Sequence, residues 1–443
     1  MRAVTTAGRL LAAAITVVAL GVGVGACGSN DSGGGGGGTS TAAAGSATAS
    51  APKCGLGNGQ KASGTPIKLG AIATKQPGAD FTQVPGMAKA YFDCVNDNGG
   101  INGRPVQYIT ETEQTNPQQV VSLVTKMWED EKVLGFVGNM SFLDCPVNQQ
   151  FYAKNNIYAI VAGVSRECFE QPNVAPVNMG PNYSSLGAAQ ALVSQGAKSL
   201  VAMTGKVPGA DYNNEGVLKL AKKLGIPGRS FLEPSPINDG AAVALQLVEA
   251  AGDGGGVVFA DQGTEVLKVL KGAEQQGLID RVKWGCATTC NDASLAKALG
   301  PAWNGKLAVN AELNLVDTNG PDMQLYRQVN EKYAPSIPSG SLGQMGFLIA
   351  RLATQALLEQ PDKDYTQTTV NEAFRGIKPV TTDLLCKPWY FGTGKIHVPN
   401  NTDWTIAAQD GKFVKKADCT AIEALPGNRL AEVRAYEKAQ GIG

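Results

Sequence analysis

IKLGAIA (residues 67–73), GMAKAYFDCVNDNGGINGRPV (86–106), TNPQQVV (115–121) and GFVG (135–138) decide how this chain folds. The first is a short apolar run bounded by turn formers, which reads as a strand. In the second, Met87, Ala90, Tyr91 and Cys94 recur at helical spacing and place one apolar face on a helix over 86–96. That helix meets Asn96-Asp-Asn-Gly99-Gly100-Ile-Asn-Gly103. The glycines let the chain stop in a left-handed conformation before the next strand. A strand over 106–112, a helix over 117–129 and a strand over 133–137 follow. Strand, helix, strand, helix, strand implies a parallel sheet covered by helices.

The rhythm persists. Helix 147–154 leads to strand 157–162. Strand 199–204 leads to helices 215–224 and 241–251, strand 257–260, helix 265–276 and strand 282–285. One sheet holding all these strands is too large, so the reading is α/β with two doubly wound lobes. Residues 342–358 give the longest helical signal. Trp389, Trp404 and Phe413 suggest a β-rich return near the end, with the tryptophans in the core.

Composition narrows the function. Lys plus Arg equals Asp plus Glu, each 38, so no basic surface speaks for nucleic acid. A single histidine, His397, leaves almost no material for zinc hydrolysis or a His-dependent triad. Gly55-Leu-Gly57-Asn-Gly59 precedes the first strand instead of following it, so it is no dinucleotide loop. Gly392-Thr-Gly394-Lys395 lacks the flanks of a phosphate loop. Gly163-Val-Ser165-Arg-Glu167 lacks the closing glycine of a nucleophile elbow. No carboxylate pair stands out. The chain reads as a non-enzyme, without metal or cofactor.

The N-terminus carries an address. Arg2 and Arg9 precede an uncharged run over 10–24, and Val24-Gly25-Ala26-Cys27 forms a lipobox. Residues 1–27 read as a lipoprotein signal, with Cys27 as the lipidated residue. About 20 apolar residues are needed to span a membrane, and this run is shorter. Residues 28–53, with glycine from 33 to 38, bury nothing and read as a tether with an r.m.s. span of roughly 30 Å. The protein is expected outside the cytoplasm, held to the membrane by lipid. Eight cysteines then remain, and an even number in that compartment reads as disulfides. Their order suggests the local pairs Cys54–Cys94, Cys145–Cys168, Cys286–Cys290 and Cys386–Cys419. No second Cys pair or His cluster supports a metal at Cys286–Cys290.

The quoted stretches, with the Asn-x-x-Gly-Gly-Ile-x-Gly turn as their most specific element, resemble the leucine/isoleucine/valine-binding branch of the type I periplasmic binding proteins, receptors of ABC importers. The likeness runs in order over roughly 66–417 and weakens after 285. It implies two Rossmann-like lobes joined by three hinge crossovers, near 178–183, 310–314 and 398–403. The first lobe takes 54–180 and 313–399, the second 181–312 and 400–420, and 421–443 is a C-terminal tail. Ligand sits between the lobes, and closing the hinge hides it.

The resemblance also implies site residues. The loop after the third strand, which supplies a carboxylate-holding serine in the family, has Phe142 at that place and Ser141 beside it. Gly163 and Ser165 match a backbone carbonyl and a hydroxyl after the fourth strand. Tyr212 matches a second-lobe aromatic, and Asp261-Gln262 another second-lobe position. Phe81 is a rim candidate. The family's ammonium-binding acid aligns near Ala287 and is missing, with Asp261 a possible substitute. Each serine also has an ordinary reading as a helix cap, and Phe142 as interlobe core. The expected function is a monomeric receptor that takes a small polar ligand (an amino acid, amide or related carboxylate) to the permease and ATPase of an ABC importer. The alternative is a ligand sensor for a membrane signalling partner.

Overall fold

Alternation of strand and helix produces two separate sheets. The computed structural model describes residues 53–442 apart from residue 362, and the signal, Cys27 and nearly all of the tether lie outside the described residues. The opening run forms β1 (Ile67–Gln76), whose end folds back as the two-residue β2 (Ala79–Asp80). α1 (Gln83–Asp97), β3 (Val106–Glu113), α2 (Pro117–Glu129), β4 (Gly135–Asn139), α3 (Asp144–Lys154), β5 (Ala159–Val161) and β6 (Val174–Pro176) follow. Parallel pairing sets them in the order β3-β1-β4-β5-β6, with β2 antiparallel on the end of β1.

The second sheet repeats that order. α4 (Gly180–Ser194), β7 (Leu200–Gly205), α5 (Asp211–Leu224), β8 (Gly228–Glu233), α6 (Gly240–Ala251), β9 (Gly256–Phe259), α7 (Gly263–Gln275), β10 (Lys283–Cys286), α8 (Ala293–Ala298) and β11 (Leu307–Ala311) build it. Its parallel core runs β8-β7-β9-β10-β11. The chain then returns to the first lobe as α9 (Pro321–Tyr333), α10 (Ser341–Glu359) and α11 (Gln367–Arg375). It crosses again to add β12 (Thr402–Gln409) and β13 (Lys412–Ala421), antiparallel at the edge of the second sheet. Both lobes therefore share one doubly wound order, in which neighbouring strands diverge beside the first strand. Open parallel sheets bind ligands there, at the carboxyl ends of the strands.

The decisive turn forms for the reason its glycines suggest. α1 stops at Asn98, Gly99 and Gly100 take φ of 95° and 62°, and the Gly100 N–H bonds the Val95 carbonyl at 2.8 Å. The aliphatic face of α1 packs on α10, closed by an edge-to-face contact between Tyr91 and Phe347. The structure holds the four pairs Cys54–Cys94, Cys145–Cys168, Cys286–Cys290 and Cys386–Cys419, with Cα separations of 5.2 to 6.0 Å.

Two segments hold helices absent from the sequence reading. The C-terminal tail expected over 421–443 carries, among its described residues, α12 (Leu430–Ala439), which buries Leu430 and Val433 on one face. Its Glu437 pairs with Lys387 at 2.6 Å, both side chains largely buried. α4 gave no helical period because it is enclosed on nearly every side, burying ten of its fifteen residues. Among the described residues no helix is long and apolar enough to cross a membrane.

Candidate ligand-binding cleft

The segments that leave the carboxyl ends of strands in both sheets line one cavity. From the first lobe come Ala79 and Phe81 after β1, Met140 and Phe142 after β4, and Gly163 and Val164 after β5. From the second come Thr204 and Val207 at β7, Ser235 after β8, Ala260 to Gln262 after β9, and Ala287 to Thr289 after β10. Leu342 and Met345, in the first turns of α10, complete the wall. Phe81 and Phe142 meet edge to face at 5.0 Å between centroids, a preferred aromatic geometry.

Most polar groups on this wall are already engaged. The Thr204 hydroxyl donates to the Ala260 carbonyl at 2.7 Å and accepts from Asn213 at 3.0 Å. Asn178 takes the Gly163 N–H at 2.7 Å and gives a bond to the Gly163 carbonyl at 2.8 Å. Thr289 donates to the Asp261 carbonyl at 2.5 Å. The exceptions are Thr288, whose buried hydroxyl neighbours the Glu312 carboxylate, and Asp261. One Asp261 oxygen accepts from the Gln262 N–H at 2.7 Å, while Oδ2 is buried without a partner. Burial pushes its carboxyl up to about 7, against the lowering effect of the Gln262 N–H. No Lys, Arg or His side chain lines the cavity.

Phe81, Phe142, Gly163, Asp261 and Gln262 thus come together, and three other candidates do not. Ser141 is buried behind the wall, where its hydroxyl donates to Glu113 at 2.8 Å and accepts from the N–H groups of Leu143 and Asp144. It ties down the turn that leads into α3, whose cap position is Leu143. Ser165 faces Cys168 Sγ at 3.5 Å, and with Tyr212 it lines a neighbouring groove. The Tyr212 ring lies beneath the Arg166 guanidinium, 4.7 Å from it. His397 is buried and bonds the Val174 carbonyl at 2.6 Å, a packing role. Sequence reading missed Thr204, Ser235, Thr288 and Met140. Each lies at or just after the end of a parallel strand, which is the signal that points to them.

Comparison with known proteins agrees with this geometry. The family described as periplasmic binding protein matches residues 66–412. The chain belongs to the periplasmic binding protein family. These proteins are solute receptors, not enzymes, and they act outside the cytoplasm. A search of curated proteins found no match. Among solved structures, a branched chain amino acid ABC transporter protein from Thermus thermophilus with bound valine is similar at TM-score 0.69 and 18% identity, covering 82% of this chain and 97% of that one. A fatty acid ABC transporter substrate-binding protein from Thermomonospora curvata gives TM-score 0.68 and 16% identity, over 82% of this chain and 95% of that one. A possible leucine/isoleucine/valine-binding protein from Rhodopirellula baltica gives 0.67 and 15%, over 80% and 96%. At these identities the likeness is one of fold, the two-lobed type I arrangement.

Proposed function

We infer that this receptor captures a small molecule with an aliphatic or aromatic body and one polar head, and delivers it to an ABC importer. One observation carries the reading: both lobes supply the wall of a single cavity, and that wall is mostly carbon. Small-molecule sites are concave, mainly apolar and oriented by a few polar groups. Phe81, Phe142, Met140, Leu342 and Met345 would enclose the body. The head would meet Asp261, Thr288 and the backbone around Gly163. With no cationic side chain on the wall, a carboxylate would have to be held by hydroxyl and N–H groups alone. Strongly charged or sugar-like solutes fit such a wall poorly. The solved relatives named for valine and for fatty acids point toward ligands with apolar bodies. The lipobox at Cys27 would anchor the receptor beside the permease.

A thermal-shift panel tests this. Branched-chain and aromatic amino acids, their amides, aromatic acids, medium-chain fatty acids, sugars and polyamines are compared at millimolar concentration. A ligand at 100 times its Kd stabilises by about 2.7 kcal/mol. Stabilisation by one of the apolar-bodied classes, and none by sugars or polyamines, is the expected result. A response confined to sugars or polyamines, or no response at all, overturns the reading.

A further inference from the structure

Arg166 ties the two lobes together outside the cavity. It lies in the single turn Arg166–Cys168 after β5, and the Cys145–Cys168 disulfide fastens that turn to α3 of the same lobe. Its guanidinium reaches across to α5 of the other lobe. There it forms an ion pair with Glu215 and lies over the Tyr212 ring at 4.7 Å. Its only other carboxylate is Glu170 of its own lobe, at 3.8 Å.

The receiving surface is held in place as well. Lys219 takes the second Glu215 oxygen at 3.0 Å. Tyr212 is buried, and Asn182 at the start of α4 donates to its backbone carbonyl. A donor fixed on one lobe therefore meets an acceptor and an aromatic face fixed on the other. Neither Arg166 nor Glu215 touches the ligand cavity; they line the groove next to it with Phe142. Contacts that exist only when the lobes meet shift the equilibrium toward the closed arrangement by their own free energy.

We propose that Arg166 is a closure latch, a positioning residue that favours the closed cleft by bridging Glu215 and Tyr212 without contacting the solute. Arginine suits the task because its planar fork pairs with a carboxylate while its face stacks on a ring, which lysine cannot reproduce. The use of the latch in solute capture rests on the receptor reading above. The latch itself is a statement about lobe closure.

The test reads that closure directly in the ligand-free full chain. Spin-labelled unnatural residues at the exposed positions Lys154 on α3 and Lys222 on α5 report the distance between lobes by electron–electron resonance. Half-exposed ion pairs and cation–π contacts of this kind give an expected loss of about 3- to 20-fold in the closed-to-open ratio for Arg166→Ala. Glu215→Ala should lose a similar factor, and the double variant little more than either. Arg166→Lys should recover part of the ratio, and 1 M salt should open the parent protein more than Arg166→Ala. Urea unfolding of each lobe should be unchanged, which separates a latch from a residue needed for folding. Identical distance distributions in the parent and Arg166→Ala, or additive losses in the double variant, would overturn the proposal. If no panel compound binds while Arg166→Ala still opens the lobes, the receptor reading fails and the latch stands.

Discussion

Glu312 carries the clearest pH dependence in this fold. It follows β11 where the chain leaves the second lobe, and it is fully buried. One carboxylate oxygen accepts the Met179 N–H at 2.7 Å, at the first crossing between lobes. Its own backbone carbonyl accepts from Asn400 at 3.1 Å, at the third. The buried Thr288 hydroxyl is the neighbour of this carboxylate on its other side, and among the described residues no other group satisfies Oε1. Burial pushes the carboxyl from 4.5 up to about 8, helped by the charge of Asp403 and opposed by the Met179 N–H and Thr288. Below pH 4.5 the group is protonated in folded and unfolded chains alike, and it costs nothing. As pH rises toward 8 the unfolded chain ionises first, so stability falls through this window and levels off above it. At 1.36 kcal/mol per pH unit the interval is worth about 5 kcal/mol. Relaxation and water entry at a hinge reduce this to about 2–5 kcal/mol.

Glu312→Gln isolates that cost. The amide keeps an oxygen for the Met179 N–H and carries no charge at any pH. Asp261, raised by burial to about 7, remains in the parent and the variant and cancels in the comparison, whereas Asp403 loses the repulsion of Glu312 in the variant, which adds to the gain at high pH. Urea unfolding without added ligand at pH 5, 6.5 and 8.5 should show the variant gaining on the parent as pH rises, by about 2–5 kcal/mol at pH 8.5. At pH 5 the variant should be equal or about 1 kcal/mol weaker, since an amide N–H is left buried. Parallel pH slopes for the two proteins would refute the argument and mean that Glu312 is solvated.

Three further outcomes are expected. Cys286→Ala with Cys290→Ala should cost about 2 kcal/mol in unfolding against about 4 for loss of Cys54–Cys94, because the loop is so short. Binding of a panel ligand should suffer more, since Ala287 to Thr289 line the cavity, and unchanged calorimetric affinity would contradict this. Phe142→Ala, which removes the ring packed on Phe81, should weaken that ligand about 10-fold by calorimetry, and an unaltered Kd would place the ring outside the wall. Cys27→Ser should shift the protein from the membrane fraction to the soluble one, and a parent protein whose mass shows no lipid would refute the anchor.

Much of the fold was legible because its signals are local. The helix over 117–129 coincides with α2, where Asn116 caps the first turn and Pro117 opens it. The longest helical signal, 342–358, is α10 within a residue at each end. What escaped notice has little local signal. α4 is enclosed between the second sheet and α5 and shows no polar stripe. β8 is an edge strand, Gly-Arg-Ser-Phe-Leu-Glu, exposed over its first half and without apolar alternation. α12 needed its partners Lys387 and Tyr390, which lie 47 residues or more from Glu437 in sequence, to become more than a tail.

The site was only half legible, and hydrogen-bond accounting explains which half. The family resemblance implied Phe142 and Asp261, and Phe81 follows the first strand; all three stand where segments leave the carboxyl ends of strands, which is set by topology. The serines could not be placed this way, because a hydroxyl is free for a ligand only if no backbone group claims it first. Ser141 is claimed by the Leu143 and Asp144 N–H groups at the entry to α3, and its own proton goes to the Glu113 carboxylate. A buried N–H left without an acceptor costs about 1–3 kcal/mol, so these bonds hold the serine more firmly than a transient solute would. Asp261 is in the opposite position: Gln262 uses one of its oxygens, and among the described residues nothing uses the other. The residue that remains unsatisfied when every neighbour has been counted is the one to which a ligand adds most. On that argument, Asp261 would mark the polar end of the cavity, and the aromatic pair Phe81 and Phe142 its apolar end.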